Sequence, residues 1–273
     1  MASSLGAITR RARQRRPAMI TRAHITRLAS RQDVPAKTVE RDYALAHIVA
    51  GVAAKGEESK LVFKGGTALR LCHFDEYRYS ADLDFSIVDG SIEDALGAIG
   101  QGLSNVSGAI ENLHLTNDSP PRIAYTGPLG RQRTIKLDLS DDEPVFDTEY
   151  RGLVPRWSDL PRDLSVRVYT LLEVAGEKLR CVLQRLQCRD LFDLHLLFEE
   201  VAIDPAEAVN VFRPKARHRG FDPDSFADRY RERIRQYQKR WEKELGEHVP
   251  GDLPHFKDVE RRMARHLRKA GLL

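Results

Sequence analysis

Residues 61–88, LVFKGGTALRLCHFDEYRYSADLDFSIV, constrain the fold more than any other part of the chain. They read as a short apolar strand, a Gly-Gly turn opening a helix, a polar loop, and a second strand carrying two aspartates. Side chains alternate along a strand, so Asp82, Asp84 and Ser86 share one face while Leu83, Phe85 and Ile87 share the other. Two carboxylates about 7 Å apart on one strand face suit a divalent cation. Gly65, Gly66 and Thr67 stand where strand gives way to helix, so their backbone N–H groups are free to receive phosphate. The Thr67 hydroxyl either reaches that phosphate or caps the helix. Ser80 falls on the Asp82 face, as a phosphate or metal contact or as a strand-end hydroxyl. A carboxylate pair beside a phosphate cradle points to chemistry on a nucleoside triphosphate.

Further along, residues 131–140 (RQRTIKLDLS) alternate cleanly and set a third aspartate, Asp138, on the polar face of another strand. Carboxylates from two strands would hold one or two Mg²⁺ ions against triphosphate oxygens. The plain alternative is a solvent-facing sheet side, common in antiparallel sheets. Between these strands, Ser91 with Asp94 three residues on predicts a capped helix to Gly102, and residues 110–127, with Pro120-Pro121, predict short strands and a turn.

Helical patterning precedes this core at Ile20–Ala29 and Ala36–Ala54 and takes over after it. The later helices are expected at Val166–Leu186, Arg189–Val201, Pro205–Val211, Ser225–Leu245 and Lys257–Ala270. Residues 141–163 are acidic and rich in Pro and Gly, so a boundary is placed near 155. The expectation is therefore a basic, disordered tail over 1–18, an αβ domain over 19–155, and a helical domain over 156–273 that completes a cleft. The class is α+β, with a small mixed sheet.

In the helical half, Lys178 lies along an apolar stripe with Leu171, Ala175 and Val182, so it either snorkels outward or points into a cleft. Asp190 and Asp193 sit in CRDLFDLHLLF, whose circumference is nearly all apolar, and a carboxylate there needs a partner. Asp193 either touches a nucleotide or supports Lys178; an ion pair with Arg189 or Lys178 is the structural alternative. His195 reads as a core histidine.

Charge is distributed unevenly although the net value is only +4. Residues 1–32 hold eight arginines and no acid, and Arg213–Lys243 holds eleven Lys/Arg against five Asp/Glu. Such asymmetry favours a phosphate-backbone partner, or is a solvated face. No apolar run of about 18 residues exists, so no membrane span is expected. The arginine-rich start resembles a transit peptide but has no apolar h-region for secretion, and the segment after it reads as folded body. The three cysteines, Cys72, Cys181 and Cys188, lack metal-site spacing and suit a reducing, cytoplasmic setting.

FKGGTALRL, RYSADLDF, EKLRCVLQR and RDLFDL, in that order over residues 20–200, resemble the AbiEii/MenT family of nucleotidyltransferase-like toxins. The resemblance puts the family's phosphate motif on Gly65, Gly66 and Thr67, its strand motif on Arg78, Ser80, Asp82 and Asp84, its lysine on Lys178, and its late aspartate on Asp193. Asp138 matches by strand pattern alone, and residues 202–273 carry no matching motif. The resemblance implies a polymerase-β-like nucleotidyltransferase fold and Mg²⁺-dependent transfer from an NTP to an RNA end. In some members that end is the tRNA 3′ terminus, which blocks translation. It also implies a cognate antitoxin, often a winged-helix protein. Two other readings compete: γ-phosphoryl transfer to protein or to itself, and a non-catalytic shell that only binds RNA or protein.

Overall fold

The computed structural model describes residues 20–54, 60–106 and 108–273, so the expected basic tail at 1–18 lies outside the described residues. Helices α1 (Arg22–Gln32) and α2 (Ala36–Ala53) come first, the former capped by Thr21. Seven strands follow: β1 (Leu61–Lys64), β2 (Leu83–Ile87), β3 (Glu111–Leu115), β4 (Arg122–Thr126), β5 (Gln132–Ser140), β6 (Thr148–Gly152) and β7 (Ser165–Tyr169). They form one mixed sheet in the order β3-β4-β5-β2-β1-β7-β6. Strand β1 runs antiparallel to the central strand β2 and parallel to β7, and β2 runs parallel to β5.

Strand parity assigns the two faces. Leu61 and Phe63 of β1, with Leu83 and Phe85 of β2, pack into a core shared with α1, α2 and α4 (Ile92–Leu103). Val62, one residue out of phase, joins a second core built from the C-terminal helices. Lys64, Asp84 and Ser86 share the parity of Val62 through the pairs Val62–Ser86 and Lys64–Asp84. The polar residues of β1 and β2 therefore point at the helical half and not at water.

That half comprises α5 (Leu171–Gln184), α6 (Cys188–Glu199), α7 (Pro205–His218), α8 (Phe226–Leu245) and α9 (Phe256–Lys269). Helices α5 and α7 approach closely because Gly176 leaves room: a Cβ there would stand 2.5 Å from Val211 Cβ. Helix α7 continues four residues beyond Pro214, further than the expected end at Val211.

Two expectations need correction. The stretch expected to open a helix at Val166 is strand β7, and the helix begins only after Thr170, whose hydroxyl accepts from Glu173 N–H. Strand β6 lies within 141–163, expected to be loop. Both strands belong to the common sheet, so the change from sheet to helices falls at Thr170 and not near residue 155.

Candidate active site

The sheet wall of the site is set by register. Asp84 sits opposite Lys64 on β1 and opposite Asp138 on β5, so Asp138 adjoins the Asp82–Asp84 pair. Burial pushes the Asp84 carboxyl up to about 6, assisted by the charges of Asp82 and Asp138 and opposed by Lys64 and Lys178. Lys64 does not bond Asp84; its ammonium is held by Glu143, which also accepts from Ser86 and Tyr169.

Gly65 and Gly66 are glycines for different reasons. Gly65 has φ +77°, and a Cβ on it would stand 2.4 Å from Asp84 Oδ2. Gly66 has ordinary backbone, but its Cβ would stand 2.6 Å from Arg78 Nη2 and 3.2 Å from Ser80 Oγ. They open α3 (Gly65–Ala68), whose chain runs on through a π-turn at Leu69–His73. Thr67 does not face the cleft: it is 1% exposed, and its hydroxyl donates to the Asp82 carbonyl at 2.5 Å. Thr67 thus ties the helix start to the aspartate strand.

Opposite the sheet stands a cationic wall. Lys178 Nζ lies 2.8 Å from Asp190 Oδ1 and 2.7 Å from Asp193 Oδ2. Burial works against its charge, but the two aspartates outweigh burial and raise its pKa. Lys178 borders the cleft, so it has not snorkelled to the outer surface. Asp193 is 0% exposed and wholly engaged: Arg78 donates Nε–H to Oδ1 at 2.6 Å and Nη2–H to Oδ2 at 2.7 Å, and Tyr77 donates its hydroxyl at 2.5 Å. Asp193 is shut off from any ligand in the cleft and acts on it only through Lys178 and Arg78. Of the two ion pairs offered as the alternative for Asp193, the one with Lys178 forms, while Arg189 turns away, its Nη1 lying 3.5 Å from Asp82 Oδ2. His195 is buried and away from the cleft.

Between the walls lies a cleft of about 320 Å³, bordered by Gly65, Gly66, Ser80, Asp82, Asp84 and Asp138 on one side. Lys178, Arg180, Arg185, Arg189 and Arg219 border it on the other. A wall that gathers five cations suits a polyanion.

Comparison with known proteins decides the family. The sequence model described as "Nucleotidyl transferase AbiEii toxin, Type IV TA system" matches residues 47–265, well over half of the chain. The chain belongs to the AbiEii family. The fold is similar to that of MenT4, nucleotidyltransferase toxin Rv2826c from Mycobacterium tuberculosis H37Rv, with a TM-score of 0.70 and 19% identity, covering 93% of this chain and 90% of that one. An antigenic nucleotidyltransferase-like protein from Paracoccidioides brasiliensis gives a TM-score of 0.41 and 15% identity over 68% of this chain and 92% of that one, too remote to bear on the fold. No curated protein matches in sequence.

As an AbiEii protein, the chain is a nucleotidyltransferase toxin of a type IV toxin–antitoxin system, with an NTP as substrate and an antitoxin as partner. Nucleotidyltransferases typically use a divalent cation, and hard carboxylate oxygens suit one: beyond the burial of Asp84, the charges of Asp82 and Asp138 add a repulsion that a cation relieves. Among the described residues, however, no group of three or more His, Cys, Asp or Glu side chains is gathered at metal-binding distance. Asp138 turns to Lys136 Nζ at 2.8 Å, and Asp82 lies in reach of Arg189. The expected three-aspartate set is thus two carboxylates with a third held by a lysine.

The AbiEii cleft also contains residues that sequence reading passed over. Lys64, Arg180, Arg185 and Arg219 border it, as does Arg189, named from the sequence only as a possible partner of Asp193. Cys181 borders it as well, but burial pushes its thiol up to about 11, which removes it as a nucleophile. Among the described residues, no helix is long and apolar enough to cross a membrane.

Proposed function

We propose that this AbiEii toxin transfers nucleotides from an NTP to an RNA acceptor, with the tRNA 3′ end as target, and thereby blocks translation. The observation carrying this reading is the opposition of the Asp82–Asp84 strand, with Asp138 in register beside it, to Lys178 and the arginines across the cleft. Gly65 and Gly66 present backbone, free of side chains, to the same space.

Asp82 and Asp84 would hold Mg²⁺, with Asp138 available to a second ion once Lys136 releases it. A metal held by Asp82 and Asp84 would supply charge against the triphosphate oxygens and lower the pKa of the attacking hydroxyl. Lys178 and the arginines bind and orient the triphosphate, the Gly65–Gly66 backbone and Ser80 contact its phosphates, and Asp193 keeps Lys178 charged and in place. An acceptor hydroxyl then attacks the α-phosphorus. The new O–P bond forms as the α–β bridging bond breaks, and pyrophosphate leaves with its charge met by the cationic wall. The basic surface of the C-terminal helices favours an RNA acceptor.

The test is incubation with each α-labelled NTP, Mg²⁺ and total RNA, with γ-labelled ATP in parallel. The α label is expected in RNA, at a position removed by a 3′-exonuclease. No transfer with any nucleotide, together with no growth arrest on expression, overturns the reading. Label from γ-ATP alone, on protein, replaces it with phosphotransfer.

A further inference from the structure

Helix α8 carries seven Lys/Arg against four Asp/Glu, and the cations are not spread evenly around it. Its buried face holds Phe226, Tyr230, Tyr237, Trp241 and Leu245. Beside that face, Arg229, Arg233, Gln236, Arg240 and Lys243 fall on a single flank at i, i+4, i+7, i+11 and i+14. The row contains no acid and spans about 21 Å at the helical rise. The opposite face mixes signs, with Arg231 paired to Asp228 at 3.3 Å.

Two members of the row are joined to the cleft. Arg233 Nη1 donates to the carbonyls of Val182 at 2.7 Å and Leu183 at 2.9 Å, in the last turn of α5, next to cleft-lining Gln184 and Arg185. Arg240 borders a second cavity, of about 240 Å³, together with Ser80, Gln187, Arg189 and His248. Ser80, Gln187 and Arg189 also border the main cleft, so the cavity opens beside Asp82. Glu244 lies there too, already taken by the Cys188 amide at 2.9 Å and paired with Arg240. Burial, with Arg78, Arg41 and Arg189 nearby, lowers the pKa of His248 and keeps its ring neutral. Arg229 and Lys243, toward the two ends of the row, are exposed and enter no ion pair among the described residues.

We infer that this flank of α8 carries the phosphate backbone of a single-stranded RNA 3′ end, whose terminal nucleotide enters the Arg189–Arg240–His248 cavity beside Asp82. The inference rests on the nucleotide-transfer reading and names the path of its acceptor. An i,i+4 step rises about 6 Å, close to the spacing of phosphates along one extended strand. The cavity has room for one nucleotide and none for a helix, and a neutral imidazole gives a base a flat partner without demanding a sequence. Strand and cavity together bring a 3′ hydroxyl to the aspartate end of the cleft, where the α-phosphorus must lie.

The experiment compares two charge-matched double variants of the full chain, R229Q/K243Q on the flank and R231Q/R235Q on the opposite face. All four side chains are exposed, and thermal melts check that both variants fold. Binding of a labelled single-stranded RNA is measured across a salt series, and NTP binding without RNA in parallel. R229Q/K243Q is expected to weaken RNA binding on the order of tenfold at 0.1 M salt and to flatten the log–log salt slope by about 1.4, since each phosphate contact on a single strand contributes about 0.7. R231Q/R235Q is expected to leave both nearly unchanged, and NTP binding stays at the wild-type value throughout. Equal losses in the two variants, or none in either, overturn the inference. If wild-type protein binds RNA as described but transfers no nucleotide, the functional reading fails while the surface stands. If an acidic protein partner and not RNA responds to R229Q/K243Q, the row is a protein-docking surface and the inference falls.

Discussion

Arg78 and Asp193 form a two-bond, fully buried ion pair, Nε–Oδ1 at 2.6 Å and Nη2–Oδ2 at 2.7 Å, that joins the segment before β2 to the middle of α6. The same carboxylate lies 2.7 Å from Lys178 Nζ. One group therefore compensates two buried cations, one from each half of the protein. Asp193→Asn keeps the shape and removes the charge, leaving both under-compensated. The expected loss of stability is about 3–5 kcal/mol, the usual cost of breaking a buried pair. Urea melts of variant and wild type check it. A loss below about 1 kcal/mol would show that Asp190 alone suffices for Lys178.

Asp84 gives a pH signature. Its carboxyl titrates at about 6 in the folded protein, against 3.8 for the unperturbed group. The folded state therefore binds the proton more tightly, and this group's contribution to stability falls as pH rises from about 4 to about 6. Asp84→Asn removes that cost. In metal-free buffer the variant is expected to gain on the order of 1–2 kcal/mol over wild type at pH 8, with the gain shrinking towards zero near pH 4. A gain independent of pH would contradict the assignment to Asp84.

Gly65 and Gly66 separate two costs. Gly65→Ala meets both a left-handed backbone and a 2.4 Å contact with the Asp84 carboxylate. Gly66→Ala, on ordinary backbone, meets the pinned guanidinium of Arg78 and, less closely, the Ser80 hydroxyl. Gly65→Ala is expected to lose about 1–3 kcal/mol, through backbone strain, and nearly all nucleotide transfer. Gly66→Ala is expected to keep more of both. Melts and transfer assays on the two variants give the order, and a reversed order would remove Asp84 as the reason for the first glycine.

Arg189 competes with any cation for Asp82, since its guanidinium lies 3.5 Å from Oδ2. Arg189→Gln is expected to tighten Mn²⁺ binding to the protein alone by several-fold while weakening NTP binding. Titration calorimetry with metal, then with nucleotide, separates the two. Weaker metal binding in the variant would refute the competition.

The sheet half of the site was legible because its chemistry and its local pattern coincide: the alternation of ADLDFSIV, the Gly-Gly break and the Ser91–Asp94 capping box are short-range signals. The helical wall was legible only as suspicion. Asp193 was a carboxylate in need of a partner, yet Arg78, the partner that binds it through two hydrogen bonds, is 115 residues away and nothing local names it. Strand β7 was misread because Val166, Val168, Tyr169, Leu171 and Leu172 form a near-continuous apolar run that fits either period. Thr170 with Glu173 three residues on is a helix-start signal inside that run, and it marks where the strand stops. Strand β6 is a short, polar edge element whose existence depends on β7 beside it.

Strand β7 has a consequence for how proteins of this design diversify. It pairs with β1 and passes through a single residue, Thr170, into the helix that carries Lys178. The passage from sheet to helices at Thr170 therefore offers no seam at which the two halves could be detached from each other. A fragment ending near 155 would lack β7, the strand that joins β6 to the rest of its sheet, and its complement would begin with an orphaned one. New acceptors must therefore be acquired by substitution within one continuous fold, residue by residue on the helical surface, and not by exchange of modules.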